Sequence, residues 1–409
     1  MQILTNEYFN NLMQPFDLSN ENKIAVGVSG GADSLCLTLF LSQWAKENNK
    51  ELIAITVNHN LREEAMNEAQ EVHYFLNKKN IQHIVLTNTS PIPKTGIEEY
   101  ARSIRYKLLS DYCLSNNIKS LFVAHHLIDQ AETFFMRLAK KSGLRGLKGI
   151  SHHTDLNNIH ICRPFLSISK KMITDTLNHL KIHWFDDKMN YDETFTRVRW
   201  RQALPFLAQY DISPDNIYQV TQRLARADSC LEQYTHEFIN HHVWIDFRGF
   251  CRISNTPFNH LHSEIKIRVL EYLIRLIGQS GKSVSLKSVE DLSQRLPCSA
   301  TIGECVFVPH KTGLYIAKEY VTQENGRFIE AHTPTRWDRF MITSNQPCFV
   351  QASPPEIKIE NIPIIVQKTF PAVFIQKELE KKIQIDYKKK NDRIVQIHFL
   401  TQIEGYNLE

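Results

Sequence analysis

Residues 23–34 read KIAVGVSGGADS, an apolar run that enters Ser29-Gly30-Gly31-Ala32-Asp33-Ser34 and continues into the helix-forming stretch 35–45. Two successive glycines let a backbone turn its amides toward an anion, the serines add hydroxyl donors, and a following helix directs its positive end at the same point. A carboxylate inside such a cradle is repelled by polyphosphate unless a divalent cation bridges the two, so Asp33 points to a Mg²⁺–nucleotide site. The plainer alternative is a strand-to-helix turn, with glycine for geometry and serine and aspartate for capping.

Other nucleotide motifs fail. Gly281-Lys282-Ser283 ends like a Walker A loop, but the glycine required upstream is Leu276. Gly143, Gly146 and Gly149 recur inside SGLRGLKG without a preceding strand, which reads as a loop and not a dinucleotide fingerprint.

A second constellation lies in AHHLIDQAETFFMRLAKKSGLRGL, residues 124–147, which gathers His125, Asp129, Gln130, Glu132 and Thr133 around a helix start. Asp129 and Glu132 are three apart and can face one site, while Phe134, Phe135 and Leu138 supply a packing side. Upstream, Glu98, Arg102 and Arg105 share a helical stripe in GIEEYARSIRY, for which intrahelical pairing is the simplest account. Basic patches occur at Arg197, Arg199 and Arg201, with Trp200 among them, and at Lys381–Arg393, where six basic residues surround Tyr387. A solvated basic face explains the latter run equally well.

The elements that must position these groups alternate: strands at 23–28, 51–57, 81–86 and 119–124, helices at 32–47, 63–79, 97–116 and 129–141. This is a parallel α/β pattern with helices on both faces. The cradle, Asn58-His59 and Ala124-His125-His126 all fall at strand carboxyl ends, where such sheets bind ligands. Helical segments dominate after about residue 208 (214–240, 262–278, 285–296), then short β-type runs from Thr301 and a proline-punctuated segment from about 323. The expected division is a catalytic α/β domain at 1–208, a mainly helical domain at 209–322 and a small α+β domain at 323–409.

The chain has 409 residues, 42% of them hydrophobic, enough for two or three cores. Net charge is only +4, so polyanion binding must come from local patches. Eight cysteines without a C-x-x-C pair argue against a zinc knuckle, an iron–sulfur cluster or a dithiol centre and imply reduced thiols. No apolar run reaches membrane-span length, and MQILTNEYFN lacks the basic-then-apolar order of a signal peptide, so a cytoplasmic protein is expected.

The S-G-G-x-D-S form resembles the loop of the N-type ATP pyrophosphatases, which split ATP to AMP and pyrophosphate to activate a carbonyl oxygen. Taken together the motifs resemble the tRNA(Ile)-lysidine synthetases: VNHNLR (Val57–Arg62) beside the family's V-D-H-G-L-R, then Gly96–Tyr106, AHH with Asp129-Gln130 and Glu132-Thr133, RPFL (Arg163–Leu166), Asn190 after Asp186-Asp187, and Arg197–Arg201 before Pro205. The resemblance continues through CSATIGECVFVPHKTGLYIAKE, Trp337–Phe340 and Phe370–Phe374. Departures are Ile128 for the first of two paired aspartates, Asn58 and Asn60 for Asp and Gly, and Lys140-Lys141 for Arg-Gly.

The resemblance implies that ATP adenylates the carbonyl of the first anticodon cytidine in tRNA(Ile) bearing CAU, and that the ε-amine of L-lysine then displaces AMP. By position it assigns Ser29, Gly30, Gly31, Ala32, Asp33, Ser34 and Val57 to ATP, with Arg197 and Arg201 contacting triphosphate or RNA backbone. Asp33 and Asp129 are the implied Mg²⁺ ligands. His125 and Arg105 would stabilise phosphates, and Glu132 with Asp129 would hold the lysine or take its proton. A homodimer is left open. The alternatives are another tRNA-modifying ATP pyrophosphatase, such as a cytidine thiolase or an amide synthetase, and a catalytically weakened tRNA-binding protein, which Ile128 would support.

Overall fold

The computed structural model describes residues 2–60, 64–91, 93, 95–185, 196–279, 284–320, 325–353, 361–375, 383–384 and 395–399. They form two compact units, Met1–Asp228 and Ser229–Glu409.

In the first unit the elements run α1 (Asn6–Met13), β1 (Lys23–Gly27), α2 (Ala32–Glu47), β2 (Glu51–Asn58), α3 (Glu64–Lys78), β3 (Gln82–Thr87), α4 (Ile97–Ser115), β4 (Ser120–Phe122) and α5 (Leu127–Ala139). There follow α6 (Leu144–Leu147), the hairpin β5 (His153–Leu156) and β6 (Ile159–Cys162), a 3₁₀ turn, α7 (Lys170–His179), α8 (Thr196–Ala208) and α9 (Pro214–His242), which continues into the second unit. The sheet order is β3-β2-β1-β4-β6-β5, parallel except for β5. Both faces of β1 are covered, as its unbroken apolar run requires. Ile24 and Val26 join a core with α1, α2 and α7, whereas Ala25 joins another with Leu109 and Cys113 of α4. The chain reverses direction of travel across the sheet between β1 and β4, the switch point at which a crevice opens.

Helix α5 supplies one wall of that crevice. Its start is capped by His126, and Phe135 packs in a cluster with Ala131, Leu204 and Ile217. Trp200 lies flat on Phe135 at 4.9 Å, so this tryptophan is core packing. Leu138, expected on the packing side, is instead 49% exposed, in the last turn of α5 one residue before its end. At that end Ser142 N–H donates to Arg137 O (3.0 Å) and Lys141 N–H to Leu138 O (2.9 Å), the Schellman pattern, with Lys141 at φ 55°.

In the second unit the strands β7 (Val243–Asp246), β8 (Phe250–Ile253), β9 (Ala300–Ile302), β10 (Cys305–His310) and β11 (Gly313–Lys318) form an antiparallel sheet in the order β7-β8-β11-β10-β9. Helices α10 (Asn255–Asn259), α11 (Ser263–Gly278) and α12 (Leu286–Arg295) intervene, α11 filling the core with Val269, Leu273 and Ile277. The remainder forms two small sheets from β12 (Arg327–Ile329), β13 (Thr335–Trp337), β14 (Phe340–Ser344), β15 (Cys348–Ala352), β16 (Pro371–Ile375), β17 (Ile383–Gln384) and β18 (Val395–Phe399), with the short α13 (Ile364–Gln367). Phe370 stacks on Phe250 at 5.2 Å and Val366 joins the same cluster. Segments on both sides of the expected division at 322 therefore share a core.

A lysine in the left-handed region costs roughly 1–2 kcal/mol that glycine avoids, offset in part by glycine's freer unfolded chain. Lys141→Gly should raise the unfolding free energy by about 0.5–1 kcal/mol in urea titration; a value at or below the parent's would show that the position is unstrained.

Candidate active site at the switch point

The cradle is held in shape from within. Ser34 Oγ accepts the Ser29 N–H at 3.1 Å and donates to Gly31 O at 3.1 Å, while Ser29 Oγ and Ser34 Oγ are 3.2 Å apart. Gly30 is at φ 85°, and a Cβ there would lie 2.8 Å from both Phe185 and Val72. Phe185 also donates its N–H to Gly30 O at 3.0 Å. Helix α2 starts at Gly31 with no side-chain cap, which leaves first-turn amides directed at the loop, the arrangement that receives an anion.

Asp33, in that first turn, faces a lysine and an imidazole. Lys170 Nζ is 2.8 Å from each of its oxygens, and His126 Nε2 is 3.6 Å from Oδ2. Burial would raise the carboxyl, but His126 and Lys170 outweigh it and hold the pKa at about 2. His126 Nδ1 accepts the Ile128 N–H (3.2 Å), which assigns the ring proton to Nε2, the nitrogen facing Asp33 and, at 3.7 Å, Asp129. Asp129 Oδ2 accepts the His126 N–H at 2.8 Å, completing a capping box.

Beyond this pair lie the buried groups. Glu132 is fully buried; Oε1 accepts from Arg201 Nε at 2.8 Å, and Oε2 has no hydrogen-bond partner among the described residues. Burial, then the charge of Asp129, pushes its pKa up against the pull of Arg201. His125 Nδ1 is likewise buried without a partner. Burial drives this imidazole down to about 3, and Arg163, Arg102 and Arg197 push the same way against Asp129, so it is neutral. Burial and then Arg105 lower His59 at the end of β2. The cradle, His59 and His125 thus stand at the ends of β1, β2 and β4 with Arg102, Arg105 and Arg197 near them, and Val57 lines β2 just before.

Other motif residues are structural. Gln130 donates to Ile150 O (2.7 Å) and accepts its N–H (2.6 Å), and Arg137 donates to Gly146 O and Gly149 O, so the glycine-rich loop is tied to α5. Arg163 donates to Ser151 O and Thr154 Oγ1. The departures at 58, 60 and 128 have physical accounts. Ile128, like Phe134, Trp200 and Leu207, packs against the buried cluster of Ala131, Phe135, Leu204 and Ile217. Asn60 adopts φ 57°, which asparagine tolerates where glycine is usual, and Asn58 Oδ1 accepts its N–H at 2.9 Å as an aspartate would. Leu61, Arg62, Asp186, Asp187, Asn190, the Gly281-Lys282-Ser283 string and all of 381–393 but Ile383 and Gln384 lie outside the described residues, as does the Glu98 side chain.

Lys170 was not singled out by sequence reasoning, though a signal exists. It opens helix α7 after the cap Ser169, a place where the helix dipole disfavours a cation and a nearby anion offsets the cost. As an oxygen donor beside the cradle, Asp33 suits Mg²⁺, and Lys170, 40% exposed, can turn aside. Asp129 has one oxygen committed to its cap.

The Asp33 pKa lies below its ordinary 3.8, so its stabilisation is complete above about pH 4 and is lost as pH falls toward 2. Asp33→Asn should lower the unfolding free energy near neutral pH by about 1–2 kcal/mol, with the gap to the parent closing on acidification. A gap unchanged between pH 7 and pH 3 in urea titrations would refute the pairing.

Residues 2–206 match the PP-loop domain family ATP_bind_3. The chain is 33% identical to the tRNA(Ile)-lysidine synthase of Wolbachia pipientis wMel, a match covering 84% of this chain and 82% of that one. The corresponding enzyme of Rickettsia akari (strain Hartford) is 33% identical over 82% of this chain and 78% of its own. Among solved structures, the U34-tRNA thiolase NcsA from Methanococcus maripaludis is 21% identical with a TM-score of 0.46, over 53% of this chain and 78% of that one. With a PP-loop domain over its first half and these relatives matched along most of their length, the chain belongs to the tRNA(Ile)-lysidine synthase family.

Proposed function

We propose that the chain ligates L-lysine to carbon two of the first anticodon cytidine of tRNA(Ile) with a CAU anticodon, splitting ATP to AMP and pyrophosphate and changing the codon read from AUG to AUA. The observation that carries this reading is the convergence at one crevice of an uncapped helix end with His125 Nδ1 and Glu132 Oε2, two buried polar atoms without partners among the described residues.

The amides of the cradle and Ser29 would hold the pyrophosphate portion of ATP, and Arg105 and Arg197 would offset its charge. Mg²⁺ would be held by Asp33 and screen the phosphates when bound. The cytidine carbonyl oxygen attacks the α-phosphorus and pyrophosphate leaves; the lysine amine then attacks carbon two, and AMP departs with the former carbonyl oxygen. His125, neutral, can donate a hydrogen bond to a phosphate oxygen. Glu132, with its raised pKa, suits binding the lysine ammonium and taking the proton that the amine must lose before attack. The cytidine belongs to a single-stranded loop and can be turned into the crevice without melting a helix. Residues 209–322 and 323–409, joined through the core around Phe250 and Phe370, would grip the rest of the tRNA. The reading implies a cytoplasmic protein and is compatible with a homodimer.

The test is stable incorporation of labelled lysine into unmodified tRNA(Ile) with Mg·ATP. Incorporation should be abolished by Asp33→Ala. Glu132→Gln should slow it about 100-fold while tRNA-dependent pyrophosphate release persists. Release without incorporation in the parent chain would instead favour another tRNA-modifying pyrophosphatase, and tRNA binding with neither product would favour the weakened binder.

A further inference from the structure

The hairpin β5–β6 carries a cluster of ligating groups that the proposed reaction does not use. His153 and Asp155 alternate on β5 and share a face, and His160 stands opposite Asp155 in the antiparallel register. Asp155 Oδ1 is 2.9 Å from His153 Nε2 and 2.5 Å from His160 Nδ1, and the two ring nitrogens are 3.1 Å apart. Among the described residues, this is a group of metal-ligating side chains whose donor atoms converge on one point.

Hydrogen bonding satisfies only two sides of that triangle. Both rings can donate to the one carboxylate oxygen, which leaves two N–H donors crowded 3.1 Å apart with no acceptor between them. A central cation removes the conflict, because all three atoms then present lone pairs. The donor separations need only open to about 3.3 Å, the edge of a tetrahedron with ~2.05 Å ligand bonds. The three side chains are about half exposed and can make that adjustment. The backbone beneath them is fixed: Asn157 and Asn158, at φ 50° and 62°, form the two-residue turn that locks a hairpin register, and Arg163 bonds to Ser151 O and Thr154 Oγ1.

We infer that His153, Asp155 and His160 form a binding site for a borderline transition-metal dication of the Zn²⁺ type that clamps the sheet's outermost hairpin. Two imidazoles and one carboxylate select such ions over Mg²⁺ or Ca²⁺, and water would complete the coordination.

The full chain, stripped with EDTA, would be titrated with Co²⁺ under visible absorption and then with Zn²⁺ in excess Mg²⁺. One saturable equivalent is expected, displaced by Zn²⁺ and not by Mg²⁺, with a Zn²⁺-dependent rise in melting temperature. The double variant His153→Gln, His160→Gln should lose that equivalent and the melting shift while keeping the metal-free melting temperature. Should it fail to fold, Asp155→Asn alone should weaken Co²⁺ binding at least about tenfold. Absence of the equivalent in the parent chain, its retention in the variants, or its displacement by Mg²⁺ would overturn the assignment.

Discussion

The side-by-side parallel pairing of β1 and β4 is the constraint on which the site depends. Ala25 and Val26 face Leu121 and Phe122 in register, so the loops leaving the two strands emerge next to each other. One leads into the helix that carries Asp33 and the other into the helix that His126 caps and that carries Asp129, and the strands hold Asp33 and His126 within ion-pair distance although they are remote in sequence. The pairing itself follows from burial: β1 and β4 are apolar on both faces, so each must be covered by helices above and below, and β2 and β3 lie to one side of β1 while β4 and β6 lie to the other. Helix α7 packs on α2 in the same core and delivers Lys170 to the carboxylate.

The polar residues around this crevice fall into two sets. Gln130, Arg137 and the cap formed by His126 and Asp129 make hydrogen bonds within the fold that hold loops in place. His125 Nδ1 and Glu132 Oε2 are buried and unmatched among the described residues, a condition that costs stability unless a ligand supplies the partner. Positive charge is in surplus nearby, from Arg102, Arg105 and Arg197, and a triphosphate would neutralise it. The crevice is thus tied together by hydrogen bonds along its loops and left unmatched at two buried atoms.

The departures from the family pattern are absorbed by backbone and packing. Asparagine at 60 and lysine at 141 both occupy left-handed positions where glycine is cheaper, asparagine with less strain than lysine. Ile128 packs against the apolar cluster of Ala131, Phe135, Leu204 and Ile217, so the position of the missing acid is taken up by partly buried apolar packing.

The sequence by itself determined the alternating strands and helices, the S-G-G-x-D-S cradle and the grouping of His125, Asp129 and Glu132 on one helix start, because apolar periodicity and glycine geometry are local properties. The boundaries of α2, β2 and α4 were legible to within a residue or two for the same reason. The hairpin β7–β8 was not, since short half-buried strands carry little periodicity. Only the tertiary structure decided that Lys170 neutralises Asp33, that Trp200 serves the core, that Leu138 faces solvent, and that the segments flanking residue 322 share a core through Phe250 and Phe370. Each of these is a contact between elements distant in the chain, and such contacts are set by how buried surfaces fit together, which no local window of residues encodes.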